Sequence, residues 1–279
     1  MKRIIHEVNE KKGYFSVNIN GRLVFIYLTK RQIKQYIGYL EEGNFVTMSL
    51  VESTKTVDKR LAYKLNYFSK IERKTSRGVK VLYDLNIIRE EILKVINGFD
   101  KYLFIDLEMT MPHYYKAPFE AEIVQAGYLL TDNDLNIIVE NDYYINPTKY
   151  EKISKRTLNF LKVESKVFDK AKPYNYFYED LKTIIKNENP KIIVWGNNDI
   201  LALTKSYKIN KVTPLTKRSS FINLLDIHKT YYQLDNDLGL FNAYKLYYGE
   251  DENQEHNALI DAKVMMDVFK ALKEKKETN

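Results

Sequence analysis

The chain has 279 residues, of which 44% are hydrophobic and 29% charged, a composition typical of a folded protein long enough for two domains. It contains no cysteine, which excludes a disulfide framework and any thiolate metal site. No stretch approaches the ~20 apolar residues of a membrane span, and the charged start MKRIIHEVNEKKG lacks the apolar region of a signal peptide. We therefore expect a cytoplasmic protein that does not associate with membranes.

The charge balance is basic. The chain carries 44 Lys and Arg against 37 Asp and Glu, a formal net charge of +7. Such an excess favours polyanionic partners, chiefly nucleic acid. The 23 tyrosines and 13 phenylalanines can stack on bases, although most aromatic side chains are expected in the core.

Residues 1–75 are predicted to form a small β-rich domain. Asn20-Gly21 lies between two apolar runs and is the strongest short signal for a β-hairpin. A two-residue turn at this position pairs Val17 with Val24, so that one face of the hairpin is apolar. The hairpin predicts a sheet with one buried face.

A helix is expected after the hairpin, because Thr29 and Gln32 form a capping box ahead of apolar residues at helical spacing. Strands over 45–51 and 61–68 complete the domain. Its size and strand content suit an OB-like or other small nucleic-acid-binding barrel, and they equally suit a dimerisation or substrate-gating module. We favour nucleic-acid or partner binding, and a homodimer stays open as an alternative.

Residues 76–98 are predicted to connect this domain to a second one. The basic stretch 70–80 has almost no apolar side chain, which indicates a linker or an exposed connection. A helix over 87–96 leads into the second domain.

Residues 99–279 are predicted to form an α/β domain. Three strands in succession, followed by alternating helices and strands, favour a mixed sheet flanked by helices. The predicted elements are strands over 102–108, 123–131 and 136–144, a helix over 176–186, a strand over 191–195, a helix beginning near Asp199, a strand over 221–225, and helices over 238–247 and 257–272.

Acidic residues in this second domain carry the chemical information. The segment FIDLEMT places Asp106 and Glu108 two residues apart at the end of an apolar strand, so that both side chains share one face. Two such carboxylates repel each other, and a divalent metal relieves the repulsion. Asp199 follows a later apolar strand and begins a helix, where an acid also suits the helix dipole. Each of these acids alone is more often a solvated or salt-bridged residue.

The segment EHNALIDAKVMMDVF adds His256 and Asp261, which lie five residues apart, ~140° around an ideal helix. The two side chains converge only if His256 lies on the lead-in and Asp261 in the first turns of the helix. Asn257 suits the N-cap of such a helix.

Together, D-x-E, an Asp after an apolar strand and H-x-A-x-x-D near the C-terminus resemble the DEDDh active site of DnaQ-like 3′–5′ exonucleases. The resemblance covers about residues 102–272 and implies a ribonuclease-H-like fold. The stretch DLEMTMP is most similar to the KapD-type branch, which is related to the ERI-type RNA exonucleases. Many proofreading relatives have Thr directly after the Glu, whereas Met109 stands here, which favours the RNA-directed branch.

The resemblance implies that Asp106, Glu108, Asp199 and Asp261 ligate two divalent ions, Mg²⁺ or Mn²⁺. It implies that His256 is the general base. The expected reaction releases nucleoside 5′-monophosphates from single-stranded 3′ ends, with RNA favoured.

The same resemblance implies that residues after Glu108 hold the terminal nucleotide. The candidates are Met109, Thr110, Tyr114, Tyr115 and Phe119. Two alternatives stay open, a DNA-directed exonuclease and a lapsed exonuclease fold that only binds nucleic acid. Recognition of a 2′-hydroxyl, which would separate RNA from DNA, depends on geometry that the sequence does not contain.

Overall fold

The structure is a computed structural model. The residues it describes are 2–112, 119–149, 152–249 and 256–275. The chain divides into two compact units. The first comprises Met1–Ile92 and Tyr231–Asp235, and the second comprises Leu93–Thr230 and Asn236–Asn279.

The chain up to residue 97 forms strands and two helices. They are β1 (Lys2–Asn9), β2 (Tyr14–Ile19), β3 (Arg22–Tyr27), α1 (Lys30–Tyr36), β4 (Phe45–Val57), β5 (Arg60–Thr75), β6 (Gly78–Asp84) and α2 (Leu85–Asn97). Because β1 pairs with β4 and β3 pairs in parallel with β5, strands β1 to β5 close into a barrel in the order β1-β2-β3-β5-β4. With α1 between β3 and β4, this connectivity is that of an OB-fold barrel.

Local sequence signals explain the first part of this barrel. The β2–β3 hairpin has the predicted register, with Val17 opposite Val24. Asn20 and Gly21 both have a positive φ, 52° and 78°, as a tight hairpin turn requires. Thr29 caps α1 through the predicted capping box. The hairpin and the helix therefore follow from short-range rules.

The basic stretch 70–80 is not a linker, which corrects the sequence interpretation. It belongs to the antiparallel hairpin of β5 and β6, in which Thr75 pairs with Gly78. Ile71 and its partner Tyr83 are buried, whereas Lys74 is exposed. A strand with one buried face needs few apolar residues, which is why composition alone indicated an exposed connection.

The remaining elements lie almost entirely in the second unit. They are β7 (Lys101–Met109), β8 (Ile123–Asp132), β9 (Ile137–Asn146), α3 (Lys155–Leu161), β10 (Lys172–Pro173), α4 (Tyr174–Glu188), β11 (Lys191–Val194), α5 (Asn198–Ile209), β12 (Phe221–Asn223), α6 (Leu224–Tyr232), α7 (Leu240–Tyr248) and α8 (Ala258–Lys273). The sheet order is β10-β9-β8-β7-β11-β12, with β8 antiparallel to both neighbours and β11 and β12 parallel to β7. The predicted mixed α/β sheet of ribonuclease-H-like type is confirmed.

Strand β7 lies in the middle of this sheet and is covered on both faces. Leu103 and Ile105 belong to the core that includes side chains of α4 and α5. Phe104, on the other face, packs edge-on against Phe269 of α8 with ring centroids 5.3 Å apart. Since side chains alternate along a strand, Asp106 shares the face that α8 covers.

No helix among the described residues has the length and apolar character required to cross a bilayer.

Candidate active site

Three carboxylates meet where β7 ends. Asp106 and Glu108 of β7 and Asp261 of α8 each offer a carboxylate oxygen, and these oxygens lie within 4.8 Å of one another. Glu108 and Asp261 are buried, and Asp106 is half-buried. We call these three residues the acidic cluster.

Asp199 joins the same cavity from the first turn of α5. Its Oδ1 accepts a hydrogen bond of 3.0 Å from the backbone N–H of Leu107. Strand β11 pairs with β7 only as far as Phe104 and ends at Val194, so the ladder does not reach Leu107. Asp199 therefore replaces a missing strand partner, and this contact fixes it beside the acidic cluster.

The start of α8 positions Asp261. As predicted, Asn257 is the N-cap, and its side chain accepts hydrogen bonds of 3.1 Å from Leu259 N and Ile260 N. The helix begins against Gly127 of β8, the residue paired with Asp106. A glycine inside a strand pattern is a signal of close backbone approach, and sequence reasoning did not use it here.

Burial and mutual repulsion shift the acids of this site towards their protonated forms. Burial, followed by the charges of the other three acids, raises the pKa of Asp106 well above its usual range. Burial and the charges of Asp261 and Asp199 raise the pKa of Glu108 to about 8. Burial raises the pKa of Asp199 to about 7, against the hydrogen bond from Leu107. Burial also raises the pKa of Asp261 to about 6.

These residues fit a hard divalent cation. The donors are all carboxylate oxygens, the ligand type that such cations prefer. Asp261 Oδ1 is buried and has no hydrogen-bond partner in the part of the chain that the structure describes. A buried oxygen of this kind requires compensation, and a cation held by the carboxylates would supply it and relieve their repulsion.

His256 lies on the lead-in to α8, directly before the N-cap Asn257. Its backbone is left-handed, with φ 51°. Its ring stacks on Phe160 of α3, with centroids 4.3 Å apart and planes at 30°. Burial, and then the charge of Lys162, lower the pKa of the imidazole. Among the described residues, the group of ligand atoms within 4.8 Å consists of the acidic cluster and does not include His256.

A cavity of about 370 Å³ opens over the carboxylates. Met109, Thr110 and Phe119 line it, whereas Tyr114 and Tyr115 lie outside the described residues. Thr110 is held in place. Its N–H donates to Glu122 O at 2.8 Å, and its Oγ1 accepts from Glu122 N at 3.0 Å. Thr110 therefore joins the end of β7 to the segment that leads into β8.

Sequence reasoning missed helix α3 and its contribution to the cavity. Phe160 of α3 lines the cavity and stacks against the ring of His256. Thr157 Oγ1 accepts a hydrogen bond of 3.0 Å from Met111 N, which fixes the chain after β7. The available signal was Ser154, whose side chain caps α3 by accepting from Thr157 N at 3.1 Å.

A ribonuclease-H-like sheet with four acids around one cavity defines the second unit as a metal-dependent nuclease domain. A comparison with known protein families agrees with this class. The family model described as Exonuclease (RNase_T) matches residues 103–269. The chain belongs to this exonuclease family, and the predicted assignment to the DnaQ-like DEDDh 3′–5′ exonucleases is confirmed. It is a 3′–5′ exonuclease, a hydrolase of phosphodiester bonds.

Among curated proteins, the chain is similar to the probable 3′–5′ exonuclease KapD of Bacillus subtilis strain 168. The two are 29% identical over 177 residues, which cover 63% of this chain and 85% of KapD. KapD is the protein that gives its name to the branch that the stretch DLEMTMP resembles.

Solved structures share the fold. The nuclease domain of 3′hExo, a DEDDh family member bound to rAMP, matches with TM-score 0.54 and 16% identity over 62% of this chain and 90% of that one. A 3′-exonuclease that recognises the histone mRNA stem-loop matches with TM-score 0.54 and 15% identity over 67% and 71%. Exonuclease I of E. coli with a dA16 oligonucleotide matches with TM-score 0.51 and 17% identity over 63% and 41%.

Proposed function

We propose that this exonuclease removes nucleotides one at a time from the 3′ end of single-stranded RNA and releases nucleoside 5′-monophosphates. The observation that carries the proposal is the convergence of the acidic cluster and Asp199 on one cavity. Two Mg²⁺ or Mn²⁺ ions held there would supply an activated water and stabilise the leaving 3′-oxygen.

In this proposal, Asp106, Glu108, Asp199 and Asp261 are the metal ligands. His256 is the general base. Its lowered pKa keeps the imidazole neutral at pH 7, so that it can accept a proton from the attacking water. The position of His256 directly before the helix that carries Asp261 supports this role.

The walls of the cavity suit a terminal nucleoside. Met109, Phe119 and Phe160 provide apolar surface beside the carboxylates. An aromatic ring at such a position stacks on a base of any sequence, which suits an exonuclease that must accept every nucleotide. Thr110, which is fixed by its hydrogen bonds with Glu122, also lines the pocket. Tyr114 and Tyr115 stay predictions as substrate-binding residues.

RNA is the favoured substrate because of two kinds of support. Met109 follows Glu108, the pattern of the RNA-directed branch. Two proteins of similar fold are described with RNA components, rAMP and a histone mRNA stem-loop. A DNA substrate is the second candidate, because E. coli exonuclease I has a similar fold and was solved with a deoxyoligonucleotide. The cytoplasmic location and a homodimer stay predictions.

Substitution of the proposed ligands tests the metal site. Asp106→Asn and Asp261→Asn should each abolish release of mononucleotides in Mg²⁺ or Mn²⁺ while the protein stays folded. The exposed Asp134, in the β8–β9 turn, provides the matched control Asp134→Asn, which should keep full activity. Full activity in either ligand variant, or of the wild type in excess EDTA, would refute the proposed site.

A side-by-side digestion tests the substrate. Single-stranded and double-stranded oligonucleotides of one sequence, made as RNA and as DNA and labelled at the 5′ end, should be incubated with the full chain. Single-stranded RNA should shorten fastest, in one-nucleotide steps. If DNA were degraded as fast as RNA or faster, the DNA-directed alternative would hold, with the carboxylate site unaffected.

A further inference from the structure

The positive charge of the chain is concentrated in the first unit. Residues 1–92 contain 18 Lys and Arg against 10 Asp and Glu, and residues 231–235 add one acid, Asp235. The first unit therefore has a formal charge of +7, equal to that of the whole chain. The second unit, which holds the catalytic cavity, sums to zero. An OB-fold barrel with this charge is an electrostatic match for a polyanion.

Aromatic rings lie on the outer face of the barrel at β2 and β3. Tyr14 and Tyr27 are opposite each other in the sheet, and Phe25 is two residues from Tyr27 on the same face. The Tyr14 and Phe25 rings meet edge-on with centroids 5.9 Å apart. Phe25 and Tyr27 are both partly exposed, whereas their neighbour Ile26 points into the core. Tyr14 itself is buried, so Phe25 and Tyr27 are the surface rings, and the contact with Tyr14 holds Phe25 in position.

Two cations from the β4–β5 hairpin lie over these rings. The Arg60 guanidinium stands 4.7 Å from the centroid of Phe25, and Lys55 Nζ stands 4.0 Å from the centroid of Tyr27. In the register of the sheet the small Ala62 lies between Lys55 and Phe25. We call Phe25, Tyr27, Lys55 and Arg60 the aromatic–cationic face.

A single strand of nucleic acid fits this combination. Unpaired bases stack on aromatic rings and on guanidinium planes, and phosphates pair with Lys and Arg, whereas the bases of a duplex are already stacked on one another. In the structure a carboxylate takes the place of such a phosphate, because Glu7 forms an ion pair of 3.3 Å with Arg60. Glu7 is also fixed by the Tyr14 hydroxyl, which donates to its Oε1 at 3.0 Å.

We propose that the aromatic–cationic face of the barrel binds single-stranded nucleic acid, with bases against Phe25 and Tyr27 and phosphates against Lys55 and Arg60. Glu7 competes with the bound phosphate for Arg60. This inference concerns the first unit and does not depend on the assignment of the catalytic residues.

Fluorescence anisotropy of the full-length protein with labelled U20 and dT20 tests the proposal, in EDTA so that no cleavage occurs. Phe25→Leu combined with Tyr27→Leu removes both rings and keeps apolar volume, and affinity should fall about tenfold or more. Lys55→Glu and Arg60→Glu should each weaken binding, and each should reduce the slope of log affinity against log salt by ~0.7 for the lost phosphate contact. Glu7→Gln should tighten binding.

A matched control separates a local site from general attraction to a basic surface. Lys80 of β6 is exposed, belongs to the same unit and has no ion pair among the described residues. Lys80→Glu changes the net charge as much as Lys55→Glu, yet it should leave affinity within about twofold. If Lys80→Glu weakened binding as much as Lys55→Glu, binding would be a diffuse charge effect and the proposed face would be wrong.

Two further readouts complete the test. Cleavage of a dinucleotide in Mn²⁺ reports on the catalytic unit alone, because this substrate contains only the scissile phosphodiester, and it should be unchanged in every variant.

Oligomeric state should be measured by light scattering. Unchanged affinity together with a change from dimer to monomer would show that the face is an assembly surface and would overturn the proposal. If the double ring variant does not fold, the exposed charge variants and Glu7→Gln decide the outcome.

Discussion

Gly127 of β8 lies directly against the backbone of Leu259 in the first turn of α8, and a Cβ on Gly127 would stand 2.1 Å from Leu259 N. Gly127 pairs with Asp106 in the sheet, and Asp261 lies two residues after Leu259. The absence of a side chain at one strand position therefore lets the helix come close enough for Asp261 to join the acidic cluster.

Gly127→Ala should displace the start of α8, because the atoms that the new methyl group would meet belong to the backbone and cannot rotate away. We expect a loss of about 1–3 kcal/mol in the free energy of unfolding from overpacking. Nuclease activity should also fall at temperatures at which the variant is folded, since Asp261 moves with the helix. Thermal melts and mononucleotide release measure the two effects.

Gly38→Ala is the control for this substitution. Gly38 has no heavy atom within 4 Å of its would-be Cβ apart from its own neighbours and lies in the first unit. The melting temperature and the activity of the Gly38→Ala variant should stay close to those of the wild type. Wild-type activity in Gly127→Ala would mean that the close approach of the helix is not needed for the site.

The repelling carboxylates should make stability depend on pH in the absence of divalent cation. In the unfolded chain the acids titrate at their ordinary pKa values of 3.8 for Asp and 4.5 for Glu, whereas folding raises the pKa to about 6 for Asp261, 7 for Asp199 and 8 for Glu108. Between these limits the folded state retains protons that the unfolded chain has released. The contribution of these groups to the free energy of unfolding is complete below pH ~4, and it is lost as the pH rises through their folded-state pKa values of about 6 to 8.

In EDTA, the melting temperature of the wild type should therefore fall between pH 5 and pH 8. Asp106→Asn removes one of the repelling charges, so its melting temperature should fall less and exceed that of the wild type at pH 8. Excess Mn²⁺ should raise the wild-type value more at pH 8 than at pH 5. The same pH dependence in Asp106→Asn as in the exposed control Asp134→Asn would contradict the assignment of this effect to the site.

His256→Ala should reduce the rate by ~10²–10⁴-fold, the usual contribution of a general base. Binding of Mn²⁺ should change little, because the acidic cluster is complete without the imidazole. In the wild type, activity should be lost at acid pH as His256 becomes protonated, with a midpoint below its ordinary pKa of 6.5 because burial and Lys162 lower it. Titration calorimetry measures the affinity for Mn²⁺, and a pH–rate profile measures the midpoint of the loss of activity. A loss of metal affinity as severe as that of Asp261→Asn would make His256 a ligand instead.

Thr110→Val separates positioning from substrate contact. The hydroxyl of Thr110 accepts the buried N–H of Glu122, and its loss leaves that N–H unsatisfied at a cost of about 1–3 kcal/mol. We expect a lower melting temperature, and Thr110→Ser, which keeps the hydroxyl, should restore most of it. If Thr110 acted only on substrate, KM would rise in Thr110→Val while the melting temperature stayed unchanged.

Short-range patterns in the sequence determined much of what the structure contains. The Asn20-Gly21 turn set the register of β2 and β3, and Asn257 set the start of α8. These features depend on the hydrogen bonds and backbone angles of a few adjacent residues, so they can be predicted without knowledge of the rest of the chain. The order of the acidic residues along the chain likewise indicated the family before any distance was known.

Tertiary structure decided what depends on residues far apart in the chain. Closure of the barrel depends on the pairing of β3 with β5, and the stretch 70–80 is a hairpin because its few apolar side chains reach a core that other strands supply. At the candidate active site, Asp199 is placed by the N–H of Leu107, 92 residues away, and the ring of His256 by Phe160. Composition and spacing contain no record of such contacts, because a residue's burial and its partner are properties of the folded core and not of the local chain.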